Sequence, residues 1–126
     1  MVGIVLVSHS AGLAAETVAL ARSIAGADVP LAAAGGTADG GVGTSLDLVE
    51  RAIRAADQGD GVLLIADLGS SVLTARLVTE PGRIVLADVP FVEGTIAAAV
   101  TAGAGAPLEQ VLAAADEARG FRKLAD

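Results

Sequence analysis

Ile4-Val5-Leu6-Val7-Ser8-His9 decides how the chain reads. The apolar, β-branched run starts at Val2 and shows no polar alternation, the pattern of a strand whose sheet is covered on both faces. Gly61-Val62-Leu63-Leu64-Ile65-Ala66-Asp67 repeats the pattern. Shorter runs at residues 30–34 and 83–87 complete a set of four strands, with the first over residues 2–7 and the third over 61–67. Longer segments with helical spacing lie between them. This alternation predicts an α/β fold, a three-layer parallel sheet with helices on both faces.

The first helix is expected over residues 12–24, with Leu13, Val18, Leu20, Ala21 and Ile24 supplying most of its buried stripe. Ser45 suits the N-cap of a second, because Leu46, Val49, Ile53 and Ala56 then share one face while Asp47, Glu50, Arg51 and Arg54 meet water. Gln58-Gly59 marks its end. A third, shorter helix follows Ser70-Ser71 and stops before Pro81-Gly82; a fourth starts around Gly94-Thr95 and ends near Gly103. Pro107 reads as the N1 residue of a last helix over 108–119. With no internal repeat and no linker, the chain is expected to form one domain over 1–126.

Composition narrows the function. Apolar residues make up 53% of the 126 positions but aromatic ones only 2%, so Val, Leu, Ile and Ala must build the core. A net charge of −7, with eight scattered basic residues, argues against nucleic acid and against anionic membranes. The absence of cysteine removes disulfides and thiolate metal sites, and a single histidine leaves little for a transition metal, so no metal and no cofactor is expected. No Lys or Arg precedes Arg22, unlike a secretory signal, and the uncharged stretches 1–15 and 94–108 are too short to span a bilayer. A soluble, cytoplasmic protein is expected.

Four loops rich in small polar residues follow the strand-like runs: Ser8-His9-Ser10-Ala11-Gly12, residues 35–45, Asp67-Leu68-Gly69-Ser70-Ser71, and residues 89–95. In a parallel sheet these loops share the carboxyl edge. Right-handed crossovers that cover both faces put the first and third strands side by side at a topological switch point, so His9 and Asp67 should face each other. His9 is the chain's one imidazole and its strongest candidate for nucleophile, base or phosphoryl carrier. A carboxylate that accepts from one ring nitrogen leaves the other nitrogen's lone pair free to attack. Glycine and serine amides at helix N-termini would suit a phosphoryl group, whereas Gly43-Thr44-Ser45 lacks the lysine of a nucleotide-binding P-loop. Plainer readings stand beside these: Asp67 as an anion at a helix start, residues 35–43 as a flexible crossover, and Glu93-Gly94-Thr95 as a turn and cap.

Taken in order, Val7-Ser8-His9-Ser10, Ala34-Gly35-Gly36-Thr37 leading to Gly43-Thr44-Ser45, Asp67-Leu68-Gly69-Ser70 and Pro90-Phe91-Val92-Glu93-Gly94-Thr95 resemble the DhaM subunits of phosphoenolpyruvate-dependent dihydroxyacetone kinases. These belong to the mannose-type IIA domains of the sugar phosphotransferase system, and the resemblance covers residues 1 to about 118. It implies a homodimeric α/β phosphotransferase component that is phosphorylated on a histidine by the carrier HPr. The recipient it implies is ADP bound to the DhaL subunit, whose ATP then phosphorylates dihydroxyacetone held by DhaK. Position by position, His9 matches the phosphorylated histidine, reacting at Nε2, and Asp67 the carboxylate bonded to its ring. Ser70, with the amides around Gly69 and Thr44, matches phosphate contacts.

Longer members of the family continue into HPr-like and enzyme I-like domains, so this chain is expected to meet HPr and enzyme I as separate proteins. Arg76 stands where better-known members tend to carry an acidic residue, and Glu80-Pro81-Gly82 shortens the preceding helix; both departures bear on the docking surface. Two other readings remain: a mannose-type IIA domain that feeds a sugar-transporter IIB domain, and a non-catalytic module that senses phosphorylation state.

Overall fold

A computed structural model describes residues 1–124; the last two residues of the expected domain lie outside the described residues. Four strands, β1 (Gly3–Ser8), β2 (Leu31–Gly35), β3 (Val62–Ala66) and β4 (Ile84–Ala87), form one all-parallel sheet in the order β2-β1-β3-β4. The helices are α1 (Ala11–Ala25), α2 (Leu46–Ala56), α3 (Gly69–Arg76), α4 (Phe91–Gly103) and α5 (Leu108–Glu117), followed by a 3-10 turn at Ala118–Gly120. β1 and β3 are neighbours, as the switch-point argument requires.

Successive strand side chains alternate between two faces, and each face has its own core. Ile4, Leu6, Leu63 and Ile65 pack with Val18, Ala21, Ala98, Ala99, Ala102 and Val111 from α1, α4 and α5. Val5, Val7, Val62 and Leu64 pack on the other side with Val49, Ala52, Ile53 and Ala75 from α2 and α3. Every residue of β1 is buried, which explains its unbroken apolar run. Burying each such Val, Leu or Ile contributes about 1.5–3 kcal/mol.

The helix stripes differ from their periodicity in an instructive way. On α1 the buried residues are Ala14, Thr17, Val18 and Ala21. Leu13, Leu20 and Ile24, expected inside, are 42%, 45% and 55% exposed. The helix lies too close to the sheet for long side chains: a Cβ on Gly35 would sit 2.4 Å from the Ser10 carbonyl oxygen and 2.9 Å from Ala14 Cβ. Ala14, Ala21 and the compact β-branched Thr17 and Val18 take the inner face, and the longer Leu13, Leu20 and Ile24 turn outward. Leu46 is likewise exposed, because it opens α2 beyond the reach of the sheet, whereas Val49, Ile53 and Ala56 are buried as expected.

α4 starts three residues before the expected Gly94, at Phe91, after Pro90. Thr95 is not a cap; its hydroxyl donates to the Phe91 carbonyl inside the helix (2.6 Å). Gly94 serves close packing, since a Cβ there would lie 2.3 Å from Val89 Cγ2. α5 starts at Leu108, the first residue of the expected range, with Pro107 its N-cap in place of N1. Ser45 caps α2 as read, accepting from the Leu48 amide, and Ser10 caps α1 by accepting from that of Leu13.

Candidate active site

The register brings three strand ends level. Ser8 pairs with Gly35 across β1 and β2, and Val7 with Ala66 across β1 and β3, so His9 and Asp67 are the first residues beyond the carboxyl edge. The ladder continues into both loops: the Asp67 amide donates to the Val7 carbonyl and the Gly36 amide to the Ser8 carbonyl, each at 3.0 Å. Gly43, at φ +144°, donates to the His9 carbonyl (3.0 Å). The crossover after β2 is thus tied at both ends to the His9 segment. A turn in which the Thr37 hydroxyl accepts from the Gly41 amide braces its middle.

Asp67 is the hub. Its Oδ2 accepts from the Ser8 hydroxyl (2.9 Å) and the His9 amide (3.0 Å), while Oδ1 faces His9 Nδ1 (3.1 Å) and accepts a short bond from the Ser71 hydroxyl. Four donors fill the four lone-pair directions of one carboxylate. Burial pushes the Asp67 carboxyl up, but the bonds from Ser71, the His9 amide, the His9 ring and Ser8 outweigh it and hold the group at about 2, below the ordinary 3.8. An anionic acceptor requires the proton on Nδ1, which leaves the Nε2 lone pair directed outward. The Ser70 hydroxyl lies 2.9 Å from that nitrogen. The His9 side chain is 23% exposed and that of Asp67 only 6%, so the ring can meet a partner while its anchor cannot.

The depressed carboxyl has a measurable consequence. A group whose folded pKa lies below its unfolded value stabilises the fold fully above the unfolded value, and that stabilisation is lost as pH falls through the folded one. For Asp67 the window runs from near pH 4 down to near pH 2 and is worth about 2 kcal/mol, at about 1.4 kcal/mol per pKa unit. Urea unfolding across this range should show the wild-type protein losing that increment relative to Asp67→Asn. Parallel acid limbs in the two proteins would contradict it.

Of the other expected site residues, Gly69 is the first residue of α3, whose N-terminus has no side-chain cap; the positive end of the helix therefore lies beside the ring. The Thr44 hydroxyl is engaged with that of Thr74 (2.7 Å), a link from the crossover loop to α3, and this bond leaves the Thr44 amide, the group expected at the site, uninvolved. In the loop and helix start after β4, Glu93 is paired to Lys123. Sequence reading missed Ser8 and Ser71, both fully buried. For Ser8 the available signal was a polar residue closing an otherwise apolar strand; for Ser71 there was none beyond its place in a serine pair. Among the described residues no cluster of three His, Cys, Asp or Glu side chains is arranged to hold a metal, and no helix is long and apolar enough to cross a membrane.

The family EIIA-man, described as the PTS system fructose IIA component, matches residues 3–112. The chain belongs to the EIIA-man family. It is 37% identical over 111 residues to the phosphotransferase subunit DhaM of a PTS-dependent dihydroxyacetone kinase from Lactococcus lactis, covering 86% of this chain and 89% of that protein. It is 36% identical over 121 residues to the phosphoryl donor subunit DhaM of Escherichia coli strain K12, covering 89% of this chain. There the chain spans only 26% of its relative's length. A crystal structure of a protein of unknown function, EF1359, superposes with a TM-score of 0.83 at 32% identity, covering 99% of this chain and all of that one. This EIIA-man chain is therefore similar in sequence to DhaM subunits along most of its length and similar in fold to EF1359.

Proposed function

We propose that this EIIA-man chain is the phosphoryl donor subunit of a phosphoenolpyruvate-dependent dihydroxyacetone kinase, carrying the group on His9 Nε2. One observation carries the reading: Nδ1 is tied to an anionic, buried carboxylate while Nε2 is the ring nitrogen open to a partner. HPr is the donor. The P–N bond of its phosphohistidine breaks as the Nε2–P bond forms; His9 keeps its Nδ1 proton, and Asp67 balances the positive charge that develops on the ring. The Ser70 hydroxyl, now on Nε2, turns to donate to a phosphoryl oxygen, joined by the amides of Gly69 and Thr44. The acceptor is ADP bound on a DhaL subunit that works with DhaK.

In this reading the chain works in the cytoplasm as a homodimer and folds as one domain over 1–126. Leu68, beside Asp67, and Leu13, in the first turn of α1, are exposed and offer apolar contact for short-lived docking. The test follows the label from purified phosphoprotein. Discharge onto DhaL-bound ADP, and not onto free ADP or a transporter IIB domain, is expected. Loss to a IIB domain alone would move the chain to the sugar-uptake branch, and inertness toward both would favour a regulatory module.

A further inference from the structure

Two consecutive serines of α3 bracket the His9 ring, Ser70 at Nε2 and Ser71 at Nδ1. Only Ser71 is fully buried. Its Oγ lies 3.0 Å from His9 Nδ1 and is also bonded to Asp67 Oδ1, which itself lies 3.1 Å from Nδ1. These three atoms, Oγ, Oδ1 and Nδ1, form a closed triangle.

Proton counting decides its orientation. The ionised carboxylate brings no proton, the hydroxyl brings one, and the ring brings one or none on this nitrogen. Were the hydroxyl to donate to Nδ1, the edge from Oγ to Oδ1 and the edge from Nδ1 to Oδ1 would both set lone pair against lone pair inside a buried site, at full desolvation cost. Only one arrangement satisfies all three edges: Ser71 donates to Asp67, and Nδ1–H is shared between Oδ1 and Oγ.

We propose that Ser71 is a positioning residue for His9, its hydroxyl committed to Asp67 and therefore an obligate acceptor that holds the ring in the Nδ1–H tautomer. It acts through two partners. Toward Asp67 it supplies one of the two donors on Oδ1 and stops the carboxylate from pivoting; toward the ring it supplies a second acceptor. The inference rests on the proposed phosphoryl transfer for its consequence, but the tautomer itself is a property of the unphosphorylated protein.

A single histidine makes the test clean, because every imidazole nitrogen signal in the ¹⁵N spectrum belongs to His9. With the ring neutral, the wild-type protein should show a protonated Nδ1 and an unprotonated Nε2. In Ser71→Ala the two shifts should move toward one another as the tautomers mix, and phosphoryl acceptance from HPr should slow about 10- to 100-fold, the range of one hydrogen bond to a charged group. Ser71→Cys, which keeps the volume but replaces oxygen with a weakly bonding sulfur, should shift in the same direction and stands in if the alanine variant does not fold. Wild-type shifts in either folded variant would overturn the proposal, as would an unchanged transfer rate alongside altered shifts. A wild-type protein that shows the expected tautomer yet accepts no phosphoryl group would sink the functional reading and leave the Ser71 geometry standing.

Discussion

Incubated with phosphoenolpyruvate, enzyme I and HPr, the wild-type chain is expected to gain one acid-labile, base-stable phosphoryl group, and the His9→Gln variant none. The effect is total because the chemistry has no substitute nearby. The chain has no second imidazole and no cysteine; Ser70 loses the ring nitrogen beside it, and Ser71 is fully buried with its hydroxyl committed to Asp67, whose carboxyl at about 2 is too weak a base to activate it. Glutamine keeps comparable bulk, and its amide can still donate toward Asp67, so the β1 to β3 junction should survive. Intact-mass analysis under neutral and acid conditions reads the result directly. An acid-labile group on His9→Gln would place the acceptor elsewhere and end the proposal.

Asp67→Asn is expected to leave a folded protein that transfers phosphoryl groups about 10³–10⁴-fold more slowly, the size of effect seen when the carboxylate of a serine-protease triad is replaced by its amide. The cause is the tautomer. An amide nitrogen turned toward the ring donates where the carboxylate accepted, draws the Nδ1 lone pair to itself and pushes the proton onto Nε2, the atom that must attack. The same change leaves Ser8, Ser71 and the His9 amide competing for a single acceptor oxygen. One buried donor left without a partner costs about 1–3 kcal/mol. Circular dichroism and a thermal melt separate this modest loss of stability from the large loss of rate. Near-normal transfer in the folded variant would reduce Asp67 to an anion at the start of α3.

Much of this was legible before the structure, and the reasons are local. β1 and β3 could be read because a strand buried on both faces must be apolar at every position. The pairing of His9 with Asp67 followed from parallel topology, which sends every strand-to-helix loop to the same edge, and from crossover handedness, which makes β1 and β3 neighbours. Helix α2 could be read from Ser45 and from residues that repeat at helical spacing.

Other features depended on distances that no periodicity encodes. The outward turn of Leu13, Leu20 and Ile24 is set by how closely α1 approaches β2, a matter of side-chain size more than hydrophobicity. Gly94 and Thr95 resemble a helix start in one dimension, yet one makes room for Val89 and the other bonds back along α4. The engagement of Thr44 with Thr74 joins residues thirty positions apart.

The sequence by itself therefore determined the layers, the edge that carries the site, and the imidazole and carboxylate that meet there, because burial pattern and chain topology are written in residue type and order. Only the tertiary structure decided which nitrogen of His9 faces outward and that Ser8 and Ser71 complete the hold on Asp67. A hydroxyl acquires its role from whichever donor or acceptor lies within about 3 Å, and that distance exists only after the strands have paired.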